Sequence, residues 1–121
     1  MAPGELLFQV LSTSPETAAL LGTRIRPNRL EAGMVLPAAT YSIVNRQPRA
    51  QTRRECTLSD EVRLQINLYA IAYADLDPLA DAVRKALQEA GFRWTGEGDQ
   101  YDDAGQIGGR RQDYTLILPT S

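Results

Sequence analysis

Hydrophobic and polar residues alternate most regularly between Glu61 and Tyr69. Val62, Leu64, Ile66 and Leu68 interleave there with Arg63, Gln65, Asn67 and Tyr69. A period of two places the four apolar side chains on one face, so this segment is expected to be a strand of a sheet buried on one side. The period then changes. Leu79, Ala80, Val83, Ala86, Leu87 and Ala90 recur at helical spacing, with Asp77-Pro78 expected to start the helix and Gly91 to stop it.

The first third reads as helical. Leu6, Leu7, Val10 and Leu11 share one face of a helix from Gly4 to Leu11. Ser14-Pro15 then reads as an N-cap and first helical residue for a second turn, Glu16 to Leu21, ended by Gly22. The spacing fits one kinked helix or two. Arg24 to Pro27 is a short extended piece, and Asn28 to Pro37 reads as a loop. Ala39 to Arg46 carries the strand-favouring run Thr40-Tyr41-Ser42-Ile43-Val44. Phe92 and Trp94 suggest a short strand or the packed exit of the long helix. Arg110 to Leu118 closes the series as a strand with Tyr114, Leu116 and Leu118 on one face.

Two stretches have almost no apolar residues. Residues 46–60 hold Arg46, Arg49, Arg53 and Arg54. Residues 96–109 hold Glu97, Asp99, Asp102 and Asp103 among five glycines. Both are expected to be flexible loops or arms. The expected fold is a single α+β domain over residues 1–121, a mainly antiparallel sheet of about four strands with two or so helices packed on it. At 121 residues the chain suits one domain and buries roughly 65–70% of its unfolded surface, enough for a core without disulfides or metal.

Composition narrows the chemistry. The chain has no histidine, which removes the commonest general base and the commonest transition-metal ligand. Its one thiol, Cys56, lies beside Arg54, which would lower its pKa, but no Cys–His pair is available. The acidic run Asp99-Gln100-Tyr101-Asp102-Asp103 offers oxygen ligands but lacks the alternation and terminal glutamate of a calcium loop. Gly105-Gln106-Ile107-Gly108-Gly109 leads into a strand, whereas a phosphate cradle leads into a helix. No catalytic, cofactor or metal site is therefore expected.

Thirteen basic residues, twelve of them arginine, stand against fifteen acidic ones, a net charge of −2. That balance argues against sequence-independent DNA binding. The opening MAPGELLFQVL lacks the positive residues and cleavage site of a signal peptide, and no apolar stretch approaches the ~20 residues of a membrane span. The expectation is a protein of the cytoplasm of the producing cell. The basic and acidic stretches suggest instead a contact between copies: if they lie on opposite sides of the domain, each meets the other on a neighbour, and head-to-tail contacts of that kind close into rings. The candidate interface is Arg46, Arg49, Arg53 and Arg54 against Glu97, Asp99, Asp102 and Asp103.

The order of motifs resembles the tail completion family of phages and prophages. The resemblance rests on Leu20-Leu21-Gly22-Thr23-Arg24-Ile25-Arg26-Pro27, on the strand Ala39 to Asn45, and on Val62 to Ala70 leading through Tyr73-Ala74-Asp75 into Leu79 to Leu87. It covers most of residues 5–118 and is strongest at 62–87. The chain departs from the family pattern in having Pro37-Ala38-Ala39-Thr40-Tyr41 where a proline-tyrosine pair is usual. The resemblance implies a structural tail terminator that forms a hexameric ring on the tail tube, stops its polymerisation and joins tail to head. Its implied partners are further copies of itself, the tail tube protein and the head-completion or connector protein. DNA would pass through the lumen without specific binding, and the location would be the head-proximal end of the virion tail. Rival readings are a head-completion adaptor at the portal and, from another class, a small metal- or nucleic-acid-binding domain.

Overall fold

The computed structural model describes residues 2–22, 24–28, 35–48, 58–102 and 107–120. Helices α1 (Pro3–Thr13) and α2 (Pro15–Leu21) come first, then strands β1 (Ile25–Pro27), β2 (Ala38–Pro48) and β3 (Leu58–Ala70). A 3₁₀ turn at Tyr73–Asp75 leads into α3 (Leu76–Glu89), and strands β4 (Arg93–Asp102) and β5 (Ile107–Thr120) follow. The sheet order is β1-β2-β3-β5-β4, with β1 parallel to β2 and every other pair antiparallel. The α+β class and antiparallel character agree with the sequence reading. Among the described residues the sheet has five strands, where about four were expected, and there are three α-helices, where two or so were expected.

Alternation builds the core. Val62, Leu64, Ile66 and Leu68 of β3 and Tyr114 and Leu116 of β5 are buried on one face. They stand opposite one another in register, Val62 against Leu116 and Leu64 against Tyr114. Leu76, Leu79, Ala80, Val83, Ala86 and Leu87 of α3 cover them, and Leu7, Leu11 and Leu21 of α1 and α2 complete the layer. Gly4 lets α1 approach β2, since a Cβ there would come within 2.8 Å of the Tyr41 ring.

The first helical region is two helices meeting at Ser14. Ser14 is extended and closes α1 through its N–H to Val10 while its carbonyl accepts from Ala18 at 2.8 Å. Proline begins each helix, where an N–H would lack a partner in any case. The Ser14 side chain makes no cap bond. Buried Thr17 instead donates to the Leu11 carbonyl and ties the two helices together. Arg24 fastens the next link, donating to the carbonyls of Pro37 at 2.8 Å and Leu20 at 3.0 Å.

Three expectations are corrected. The long helix begins at Leu76, so Asp77 and Pro78 lie inside its first turn; the 3₁₀ turn sets the start, and proline is tolerated where no intrahelical N–H bond is required. Residues 96–109 are not a flexible loop where they are described: 96–102 belong to β4 and 107–109 to β5. Residues 46–48 and 58–60 are likewise strand, extending β2 and β3 into a long antiparallel ladder. Edge and outer strand segments bury little, so their residues need no apolar alternation.

Gly91 ends α3 with φ +99°, and the turn is closed by Phe92 N–H donating to the Leu87 carbonyl at 2.9 Å. No atom lies within 4 Å of a Cβ placed at Gly91. Gly91→Ala is therefore expected to lose about 1–2 kcal/mol through backbone conformation alone. Urea denaturation measures this, and an unchanged midpoint would contradict it.

Candidate functional site

Polar residues continue the buried stripe of β5 beyond Tyr114. Gln112 and Arg110 occupy the same face as Tyr114 and Leu116, and both are buried. A buried polar side chain is costly unless bonded, and each of these is bonded. Gln112 Nε2 donates to the Ala80 carbonyl of α3 at 3.1 Å and to Glu97 Oε1 of β4 at 2.9 Å, while its Oε1 accepts from the Tyr114 hydroxyl at 2.7 Å. Burial, with the nearby Glu97 charge, pushes the Tyr114 phenol above its ordinary value, so it stays a donor.

Arg110 is the centre of the cluster. Its Nη1 donates to Asp77 of α3 and, at 3.4 Å, to Glu97; its Nε donates to Asp99 of β4 at 2.8 Å. Tyr73 lies beside it, its ring 5.7 Å from the guanidinium carbon and its hydroxyl donating to Asp99 at 2.7 Å. The guanidinium thus joins β5, β4 and the start of α3 through three carboxylates. Bonding to Asp77 holds Arg110 above its usual pKa against the opposing effect of burial. The Tyr73 hydrogen bond, then Arg110, holds Asp99 below the ordinary 3.8.

An open groove of about 570 Å³ runs beside the cluster between α3 and β4, lined by Arg84, Trp94, Glu97, Asp99 and Arg110. Arg84 stacks over Trp94 at 4.9 Å. The arrangement is a clamp: one guanidinium holds three carboxylates, which keeps the edge strand β4 against the helix and leaves the cluster net negative. Among the described residues, no three His, Cys, Asp or Glu side chains gather so as to hold a metal ion. No described helix is long and apolar enough to cross a membrane.

The described members of the candidate interface, Arg46 on β2 and Glu97 and Asp99 on β4, lie toward opposite edges. Arg46 projects from β2 and is exposed, with its Nε donating to Asp60 Oδ2 at 2.8 Å. Glu97 and Asp99 lie on β4, separated from β2 by β3 and β5, and within the chain they serve Arg110. Asp102 ends β4, and its side chain lies outside the described ones. Arg49, Arg53, Arg54, Asp103 and Cys56 lie outside the described residues. The clamp was missed because Asp77 looked like a cap and Glu97 and Asp99 like a loop. A signal was present: Arg110 and Gln112 sit in phase with Tyr114, Leu116 and Leu118, and a polar residue in a buried phase demands a partner.

Arg110→Met is expected to lose about 1.5–3 kcal/mol, because it leaves carboxylates without their buried partner. Arg46→Met, which breaks an exposed pair, should lose less than about 1 kcal/mol. Urea denaturation of both variants checks the contrast, and equal losses would contradict it. Acid tests the same clamp. A carboxylate held below its unfolded pKa adds stability above that value and loses it as pH falls through the folded one. The melting temperature should therefore fall as pH drops below the ordinary 3.8, and fall less in Asp99→Asn. An identical pH profile for the variant would contradict this.

Comparison with known proteins gives two matches of different kinds. The family model described as "Tail completion protein gp17" matches residues 5–117. The fold is similar to that of a chain in the solved structure of the virion of a native gene transfer agent (GTA) particle. That match has a TM-score of 0.75 at 16% identity and covers 98% of this chain and 96% of the other. Among curated proteins, no match was found.

Proposed function

The chain belongs to the tail completion protein gp17 family, whose role is structural, and from that premise we propose that it terminates the tail of a phage or phage-like particle. In this reading, copies assemble as a hexameric ring on the end of the tail tube and stop its polymerisation. The ring offers the opposite surface to the head connector, with DNA passing through its lumen. The protein would reside at the head-proximal end of the tail. The single observation that carries the reading is the extent of the family match, 5–117 of 121 residues. The likeness to a chain of a gene transfer agent virion agrees with it in fold.

The geometry favours work by contact. The helices cover one face of the sheet, and the other carries Arg63, Gln65, Asn67, Arg111 and Asp113 in partial or full exposure. Arg46 and the acidic strand lie at opposite edges, the placement a head-to-tail ring requires. Arg46, Arg49, Arg53 and Arg54 of one copy would face Glu97, Asp99, Asp102 and Asp103 of the next. A net charge of −2 would also let DNA slide rather than stick, since phosphate contacts are made by Lys and Arg.

The test is tube assembly. Tail tube protein polymerised with increasing amounts of this chain should give progressively shorter tubes, measured by electron microscopy. Tube lengths that do not change, together with capture of the chain by portal protein, would favour a head-completion adaptor and overturn the terminator reading.

A further inference from the structure

The two edges of the sheet are finished differently from its centre. At one edge β1 pairs only with Ala39, Thr40 and Tyr41 of β2, so among the described residues Ser42–Pro48 has a strand partner on one side alone. The run from Ile43 to Gln47 is exposed without interruption, and includes Ile43 at 44% and Val44 at 53%. At the other edge, among the described residues, β4 pairs with β5 alone. Each edge carries one bulge, between Ile43 and Asn45 in β2 and between Trp94 and Gly96 in β4. Beyond the second bulge, 96–102 continues in unbroken register with β5. Such edges present rows of backbone N–H and C=O groups ready to pair with another chain.

We propose that the run Ser42–Pro48 of β2 in one copy, which has no outer strand partner among the described residues, receives residues 96–102 of β4 from the next, so that neighbouring sheets join into one. The inference deepens the ring reading above and rests on it. Strand direction permits the join. β2 and β5 run the same way, and β4 runs opposite to β5, so β4 meets a neighbour's β2 antiparallel. Charge selects it. Arg46 lies on the helix-covered side of the sheet, in register with Val62, and Glu97 and Asp99 lie on that same side, in register with Gln112 and Arg110. The competing join, β4 with β4 about a two-fold axis, sets Glu97 and Asp99 against their own copies, and like charges across a ladder repel.

The stagger between the edges fits closure. Through β3, Arg46 is level with Leu116, whereas Glu97 and Asp99 are level with Gln112 and Arg110. Bringing Arg46 opposite either carboxylate slides each copy by four to six residues, roughly 13–20 Å along the strands. Over four strands per copy at ~4.8 Å spacing, that slide tilts the strands by about 35–45°, the tilt of closed sheets.

Hydrogen exchange of the full chain, free and bound to purified tail tubes, tests the join, with electron microscopy of the same samples reporting the ring. The expected result is a ring in which peptides spanning 42–47 and 96–102 exchange at least about tenfold more slowly than in the free chain, while the already paired centres of β3 and β5 change little. Arg46→Glu should weaken both ring formation and this protection. A ring without slowing at both edges overturns the strand join and leaves the terminator reading standing. Slowing at 96–102 alone, in a dimer, assigns β4 to itself and overturns the join as well. No ring on the tubes overturns both readings.

Discussion

The pairing of β3 with β5 is the constraint on which the rest of this molecule depends. Their ladder runs from Leu58 opposite Thr120 to Ala70 opposite Gly108 without a break in register. Because side chains alternate along it, one face collects Val62, Leu64, Ile66, Leu68, Tyr114 and Leu116, and the other is mainly polar, with Ile117 exposed on it. A one-residue slip in either strand would turn that apolar set out to solvent, so the register is fixed by burial. The helices must then lie on one side, and the outer strands β1 and β4 have no further strand partner among the described residues.

The clamp at Arg110 follows from where that ladder runs out of apolar residues. Toward Gly109 the buried face of β5 passes from Tyr114 to Gln112 and Arg110, and β4 supplies Glu97 and Asp99 opposite them. A glycine-rich edge strand has little apolar surface with which to hold itself to a helix. Charge-assisted hydrogen bonds from a buried guanidinium do so here, and they are roughly twice as strong as neutral ones. The result is an edge strand that is firmly placed and yet polar, with its outer backbone groups unused by the described part of the chain. Such a strand suits assembly on demand better than an apolar edge, which would invite indiscriminate pairing.

Much of this was legible in the sequence, and the reason differs from element to element. β3, α3 and the apolar end of β5 carry the periods of two and 3.6 residues that burial on one face imposes. Phe92 and Trp94 suggested the start of β4, but its part 96–102 was illegible: an edge segment with Gly96, Gly98 and several carboxylates shows no apolar period and resembles a loop. The clamp was hidden for a related reason: Asp77, Glu97 and Asp99 are separated in sequence, and only the hairpin of β4 and β5 beside α3 brings them to Arg110. The placement of Arg46 on β2 and of Glu97 and Asp99 on β4 depends on the strand order, which periodicity does not contain. Absent histidine, an arginine-rich surface and a near-neutral balance were plain from composition, and they suit a protein that works through placement of neighbours.

Two sheet edges without a further strand partner among the described residues, and membership of a tail completion family, fit the proposed part that acts as one of several identical copies. Cryo-electron microscopy of the ends of tail tubes bound by this chain tests that idea most directly. The expected image is a single ring of this chain at one end of each tube, with neighbouring copies in contact through the edges that carry β2 and β4. Copies scattered along the tube wall, or isolated monomers docked without touching one another, would contradict it.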